Sequence, residues 1–135
     1  MPAVPTEQPS RKRIRKAAKL LRQWWHDPSA LVTIEVGDAW EIVSDFRTTF
    51  QRPLDKVTIQ LRRYVQRCTP ENVLVAQRLK RMPTILAKLG REPTMDLTRM
   101  QDIGGCRAVL PGAAEVDAVP SRYRRPLEGP RNVFN

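Results

Sequence analysis

Three stretches of the chain repeat apolar residues at helical spacing. From Ser10, the run RKRIRKAAKLLRQWWH sets Ile14, Ala18, Leu21 and Trp25 four, three and four residues apart, which is one face of a helix. A connector over 27–37, DPSALVTIEVG, contains a short β-prone piece. Asp38 and Glu41 then resemble a capping box, and Ala39, Ile42, Val43, Phe46 and Phe50 line a second helix. Pro53 ends or kinks it, because the residue before a proline avoids the helical region. Leu54, Val57, Leu61, Tyr64 and Cys68 carry a third stripe to about Arg67, where Thr69-Pro70 stops it.

The pattern then changes. Val73, Leu74 and Val75 are a short β-prone run and predict a strand ending near Arg78. Pro83 suits the first turn of a short helix, since it lacks only an amide hydrogen that would be unpaired there anyway. Gly90 closes that helix. In the polar loop that follows, Met95, Leu97 and Met100 dock on the core, and Asp102 begins a strand, IGGCRAVL. Pro111-Gly112 is a turn, AAEVDAV starts a short helix, and from Pro120 onward periodicity disappears. The expected fold class is α+β, helices packed on a small mixed sheet. Its expected parts are a basic N-terminal extension (1–37, with 1–9 disordered), a folded middle (38–119) and an irregular tail (120–135).

A chain of 135 residues allows one domain with a modest core. With 41% hydrophobic residues it is not disordered throughout. The net charge of +10 calls for anionic partners: nucleotides, nucleic acid or an acidic membrane surface. Cys68 and Cys106 have neither a CxxC spacing nor a histidine nearby, which argues against zinc and leaves both as small buried apolar residues. His26, the only histidine, sits at a helix exit and is assigned no chemistry. The sequence has no signal-peptide pattern and no run of about 18 apolar residues, so the expected compartment is the cytoplasm.

Two regions concentrate positive charge. Seven Lys or Arg residues lie from Arg11 to Arg22 with no acid among them, and the helix either packs its apolar stripe on the domain or contacts RNA, DNA or an anionic lipid surface. Trp24 and Trp25 fit either a stacking platform or a core anchor. In the second region, Arg78, Lys80, Arg81, Lys88 and Arg91 put five cations within fourteen residues. The only acids from Arg78 to Leu110 are Glu92, Asp96 and Asp102. Basic side chains where a strand gives way to a helix can address phosphates, the free amides of Thr84 to Ala87 face an anion, and Thr84 adds a hydroxyl. A divalent ion among phosphates needs at least one carboxylate, and Asp102 is the candidate. Asp102 and Arg107 are five apart, so an unbroken strand points them to opposite faces. Either Gly104-Gly105 hosts a bulge that reunites them, or Arg107 has another task.

The order of these residues resembles the synthetase domain of the RelA/SpoT family, where an Arg-x-Lys-x-x-x-Ser-Ile-x-x-Lys run precedes an Asp-x-x-x-x-Arg strand. Arg78, Lys80, Thr84 (for Ser), Ile85 and Lys88 match the first run, and Asp102 and Arg107 match the second. Arg47 with Pro53-Leu54 resembles an earlier step, extending the likeness to about 38–119. The resemblance implies a nucleotidyltransferase-like core and a GTP diphosphokinase activity: transfer of pyrophosphate from ATP to the 3′-hydroxyl of GDP or GTP, with Mg²⁺ as cofactor. It also implies that Arg78, Lys80, Thr84, Lys88 and Arg107 bind ATP, and that catalytic Asp102 holds the metal. The family's Gly-Tyr and Glu-x-Gln segments do not occur in this sequence. A truncated chain is therefore expected, with a frame change near Val119, a core incomplete on the acceptor side, little or no activity, and exposed strand edges that invite aggregation, an oligomer being a further expectation.

Overall fold

The computed structural model describes residues 8–70 and 73–123. They form five α-helices and two strands: α1 (Arg11–His26), α2 (Thr33–Thr48), α3 (Gln51–Cys68), β1 (Leu74–Leu79), α4 (Met82–Arg91), β2 (Gly104–Val109) and α5 (Ala113–Tyr123), with a 3₁₀ turn at Leu97–Arg99. The fold is α+β as expected, with a two-stranded antiparallel sheet. The described residues divide into two compact units, 8–55 with 77–105 and 56–76 with 106–123, so the boundary passes through α3 and both strands. The expected irregular tail begins as helix, since α5 runs to Tyr123; its remainder, and the part before Gln8 of the stretch expected to be disordered, lie outside the described residues.

The first unit holds one hydrophobic cluster. Ser10 caps α1, its side chain accepting from the Arg13 amide, and α1 buries Ile14, Ala17, Ala18 and Leu21. Against that face lie Ala39 and Val43 of α2, Ile85, Leu86 and Leu89 of α4, and Leu97, Met100 and Ile103 from the loop before β2. Five of these, Leu21, Val43, Ile85, Leu89 and Ile103, are 0% exposed. Each large aliphatic side chain so buried stabilises by about 1.5–3 kcal/mol relative to leaving it in water. The docking expected of Met95, Leu97 and Met100 is observed, and α1 is part of this core.

Four local expectations need correction. Helix α2 starts at Thr33, so the β-prone connector is its first turns; Val32 precedes it without a side-chain cap, while Asp38 and Glu41 lie inside the helix. Pro53 does not end α2, which stops at Thr48; it sits in the first turn of α3, where no amide hydrogen is needed. Helix α4 runs past Gly90 to Arg91. Gly90 is buried because the Trp25 indole covers it: a Cβ there would fall 2.6 Å from Trp25 Nε1. Last, β2 begins at Gly104, after Asp102, and no glycine among the described residues has positive φ.

In the second unit, α3 beyond Asp55 buries Thr58, Tyr64 and Val65, and α5 buries Val119. The Arg67 guanidinium lies 6.0 Å from the Tyr64 ring centre. Cys68 and Cys106 are free thiols, each half-buried and not fully buried as expected, since they lie at a helix end and on a strand outside the buried residues.

Candidate functional site

The Lys80 amide donates to the Ile103 carbonyl at 2.6 Å, which sets the antiparallel register and pairs Leu79 with Gly104. Ile103 is fully buried, so the turn carrying Asp102 is pinned at its C-terminal side. Arg47, in the last turn of α2, donates Nε–H to the Lys80 carbonyl at 2.6 Å. The backbone of Lys80 is thus held from both directions. Pro83 lies in the first turn of α4, as expected, and the buried Met82, Ile85, Leu86 and Leu89 fix the helix's rotation. That rotation carries Lys88 to the same place as Lys80.

There the three side chains meet. Lys80 Nζ donates to Asp102 Oδ2 at 2.8 Å and Lys88 Nζ donates to Asp102 Oδ1 at 3.0 Å. Both carboxylate oxygens are engaged, one by each ammonium. The Lys80 hydrogen bond first, and the Lys88 bond second, hold the Asp102 carboxyl below its usual range against the opposing effect of desolvation. The side chains of Lys80 and Lys88 are only 18% and 20% exposed, whereas that of Asp102 is 50% exposed. The acid therefore faces solvent and the two cations stand behind it.

The other expected site residues are placed as follows. Thr84 is half-buried in the first turn of α4, four residues before Lys88 and so on the same side of the helix. Arg78 is exposed on β1. Arg107 is exposed on β2 within the other unit. Because Asp102 lies in the turn before β2, strand parity does not govern its relation to Arg107, and no bulge is required.

Among the described residues no group of three His, Cys, Asp or Glu side chains gathers to hold a metal. One half-exposed carboxylate suits an ion that takes its remaining ligands from water and phosphate, which is the habit of Mg²⁺, and does not suit a tightly held resident metal.

Arg22 was not legible as a structural residue, yet it donates Nε–H to the Leu89 carbonyl at 2.7 Å and NH2 to the Met95 carbonyl at 2.5 Å. It satisfies acceptors at and beyond the C-terminus of α4. Arg15 pairs with Asp96 at 2.9 Å. Asp96 also accepts from the Thr98 hydroxyl and amide, and these bonds, the hydroxyl's foremost, hold its carboxyl below the usual range. Two of the seven cations between Arg11 and Arg22 are therefore committed within the fold, and Arg11, Lys12, Arg13, Lys16 and Lys19 remain exposed. No family model matches the chain, and no curated protein matches it significantly.

Proposed function

We propose that Lys80, Lys88 and Asp102 form the donor half of a nucleotide-polyphosphate site, with the chemistry of RelA/SpoT-like alarmone synthesis on a nucleotidyltransferase-like core in the cytoplasm. The observation that carries this reading is the convergence of two lysines, from a strand end and a helix, on one solvent-facing carboxylate. Lys80 and Lys88 would take oxygens of the ATP phosphate chain, Thr84 would donate its hydroxyl to another, and Arg78 would add charge or stack on adenine. Arg107 is assigned to the phosphates by resemblance. Asp102 would be the protein ligand of Mg²⁺. When bound, the ion supplies charge neutralisation on the phosphates.

In the reaction, the 3′-oxygen of GDP or GTP bonds to the β-phosphorus of ATP, the bond from that phosphorus to the α–β bridging oxygen breaks, and AMP leaves. The hydroxyl proton passes to a base. The residues assigned here bind and orient the donor only, and none is assigned as that base. This chain by itself is therefore expected to bind Mg·ATP and to make little or no guanosine tetraphosphate. Isothermal titration with a non-hydrolysable ATP analogue and Mg²⁺ tests the reading. Saturable binding that vanishes in Asp102→Ala/Lys88→Ala supports it, and equal binding by that variant overturns it.

A second reading is favoured by α1. Its apolar face is consumed by the core, with Ile14, Ala17, Ala18 and Leu21 at 0–5% exposure, so the helix has no apolar face to insert into lipid. The five of its cations that are not bonded within the fold can bind only through charge, which fits a nucleic-acid backbone better than a membrane. Such binding would weaken steeply with salt and survive loss of Lys88.

A further inference from the structure

We infer that Asp102 is a specificity-determining residue that makes polyphosphate binding at Lys80 and Lys88 conditional on a divalent cation. The inference rests on the polyphosphate reading of the site and adds to it a selection between metal-free and metal-charged ligands.

Each oxygen of Asp102 is hydrogen-bonded to one ammonium, at 2.8 and 3.0 Å. A metal-free polyphosphate must therefore compete with Asp102 for both cations at once. The burial gradient makes the competition harder. The lysine side chains are about one-fifth exposed and the carboxylate is half exposed, so an arriving anion meets the negative group first. Two ammonium groups less one carboxylate leave a single net positive charge for a ligand carrying several negative ones. Withdrawal of Asp102 is restricted by its neighbour, because Ile103 is fully buried and its carbonyl accepts from the Lys80 amide.

A polyphosphate that carries Mg²⁺ meets the same carboxylate as an attractive first contact. Each oxygen that Asp102 commits to the cation weakens its hold on one ammonium, and the freed lysine turns to phosphate. The acid is thus an internal competitor toward the bare ligand and a ligand toward the charged one. Lys80 and Lys88 alone would bind both.

The test is calorimetric titration of the full chain with inorganic tripolyphosphate, once in EDTA and once with Mg²⁺. Wild type should bind the magnesium form at least about tenfold more tightly than the free form. Asp102→Asn should gain about tenfold for the free form and lose the magnesium advantage, and adding Lys80→Ala and Lys88→Ala to it should erase the gain. If Asp102→Asn melts early, Asp102→Ser serves with the same expectation. A folded variant that binds free tripolyphosphate no better than wild type overturns the inference. Mg·ATP is titrated into wild type in parallel. Its failure to bind overturns the nucleotide reading, whereas its binding beside an unimproved Asp102→Asn overturns the selector alone.

Discussion

Helix α1 and the segment from Arg78 to Arg91 are both densely basic, yet they hold charge in opposite ways. On α1, six of seven cations are exposed, Arg22 being half-buried, and two of the seven, Arg15 and Arg22, are bonded to acceptors of the fold. Between β1 and α4, two lysines are drawn in from different elements, shielded to about one-fifth exposure and closed on one acid. Repulsion along α1 is relieved by solvation, so any partner is recognised by charge density. At Lys80 and Lys88 the repulsion is relieved by Asp102, so a partner must replace a specific group in a fixed geometry. A cation count alone does not distinguish these cases. The number of elements contributing to each cluster does.

The comparison can be broken most directly by removing the convergent pair. Lys80→Ala/Lys88→Ala should lower affinity for the Mg·ATP analogue by at least about a hundredfold, since two charge-assisted hydrogen bonds are lost. The same variant should keep wild-type salt-sensitive binding to duplex DNA, read by fluorescence anisotropy. A result in which both ligands respond alike would merge the two basic regions into one. Next in size is Arg22→Ala, which strips acceptors at the end of α4 of their donor and should cost about 1.5–3 kcal/mol in urea unfolding. It tests whether α1 contributes structural cations as well as solvated ones. Gly90→Ala forces the Trp25 indole off α4 and should cost about 1–3 kcal/mol, with a shift in tryptophan emission. By contrast, Lys12→Gln/Lys16→Gln/Lys19→Gln should leave stability within about 0.5 kcal/mol per site while weakening DNA binding.

Acid sharpens the same contrast. The Asp96 and Asp102 carboxyls are both depressed in the folded chain. Their contribution to stability is therefore present above the unfolded value of about 4 and is lost as pH falls through the lower folded values. A urea midpoint that declines below about pH 4, and declines less in Asp96→Asn/Asp102→Asn, is the expected outcome. Arg15 of α1 takes part in that decline, because its ion pair helps to hold the Asp96 carboxyl down.

Much of this was readable from the residues, because helical periodicity and proline placement act locally. The stripes of α1 and α3, the start of α4 at Pro83 and the docking of Leu97 and Met100 needed only local rules. The start of α2 was misread because Val32-Thr33-Ile34 favours a strand by propensity, and the packing of Val36 and Ala39 on the core overrides it. Gly90 looked like a helix terminator because the pattern cannot show that an indole from sixty-five positions earlier lies on it. Arg22 was invisible for the same reason: its acceptors are carbonyls, which every residue has. Of the site, the order of motifs marked Lys80, Lys88 and Asp102, and folding brings these three together. The strand expected from Asp102 starts two residues later, since Ile103 is used as a core residue.

The bond from the Lys80 amide to the carbonyl of a fully buried isoleucine has a kinetic corollary. An amide so placed exchanges its hydrogen with deuterated solvent only when the surrounding core opens. The backbone frame that presents Lys80 and Asp102 therefore lasts as long as the core does, and its opening can be timed by the exchange of that single proton.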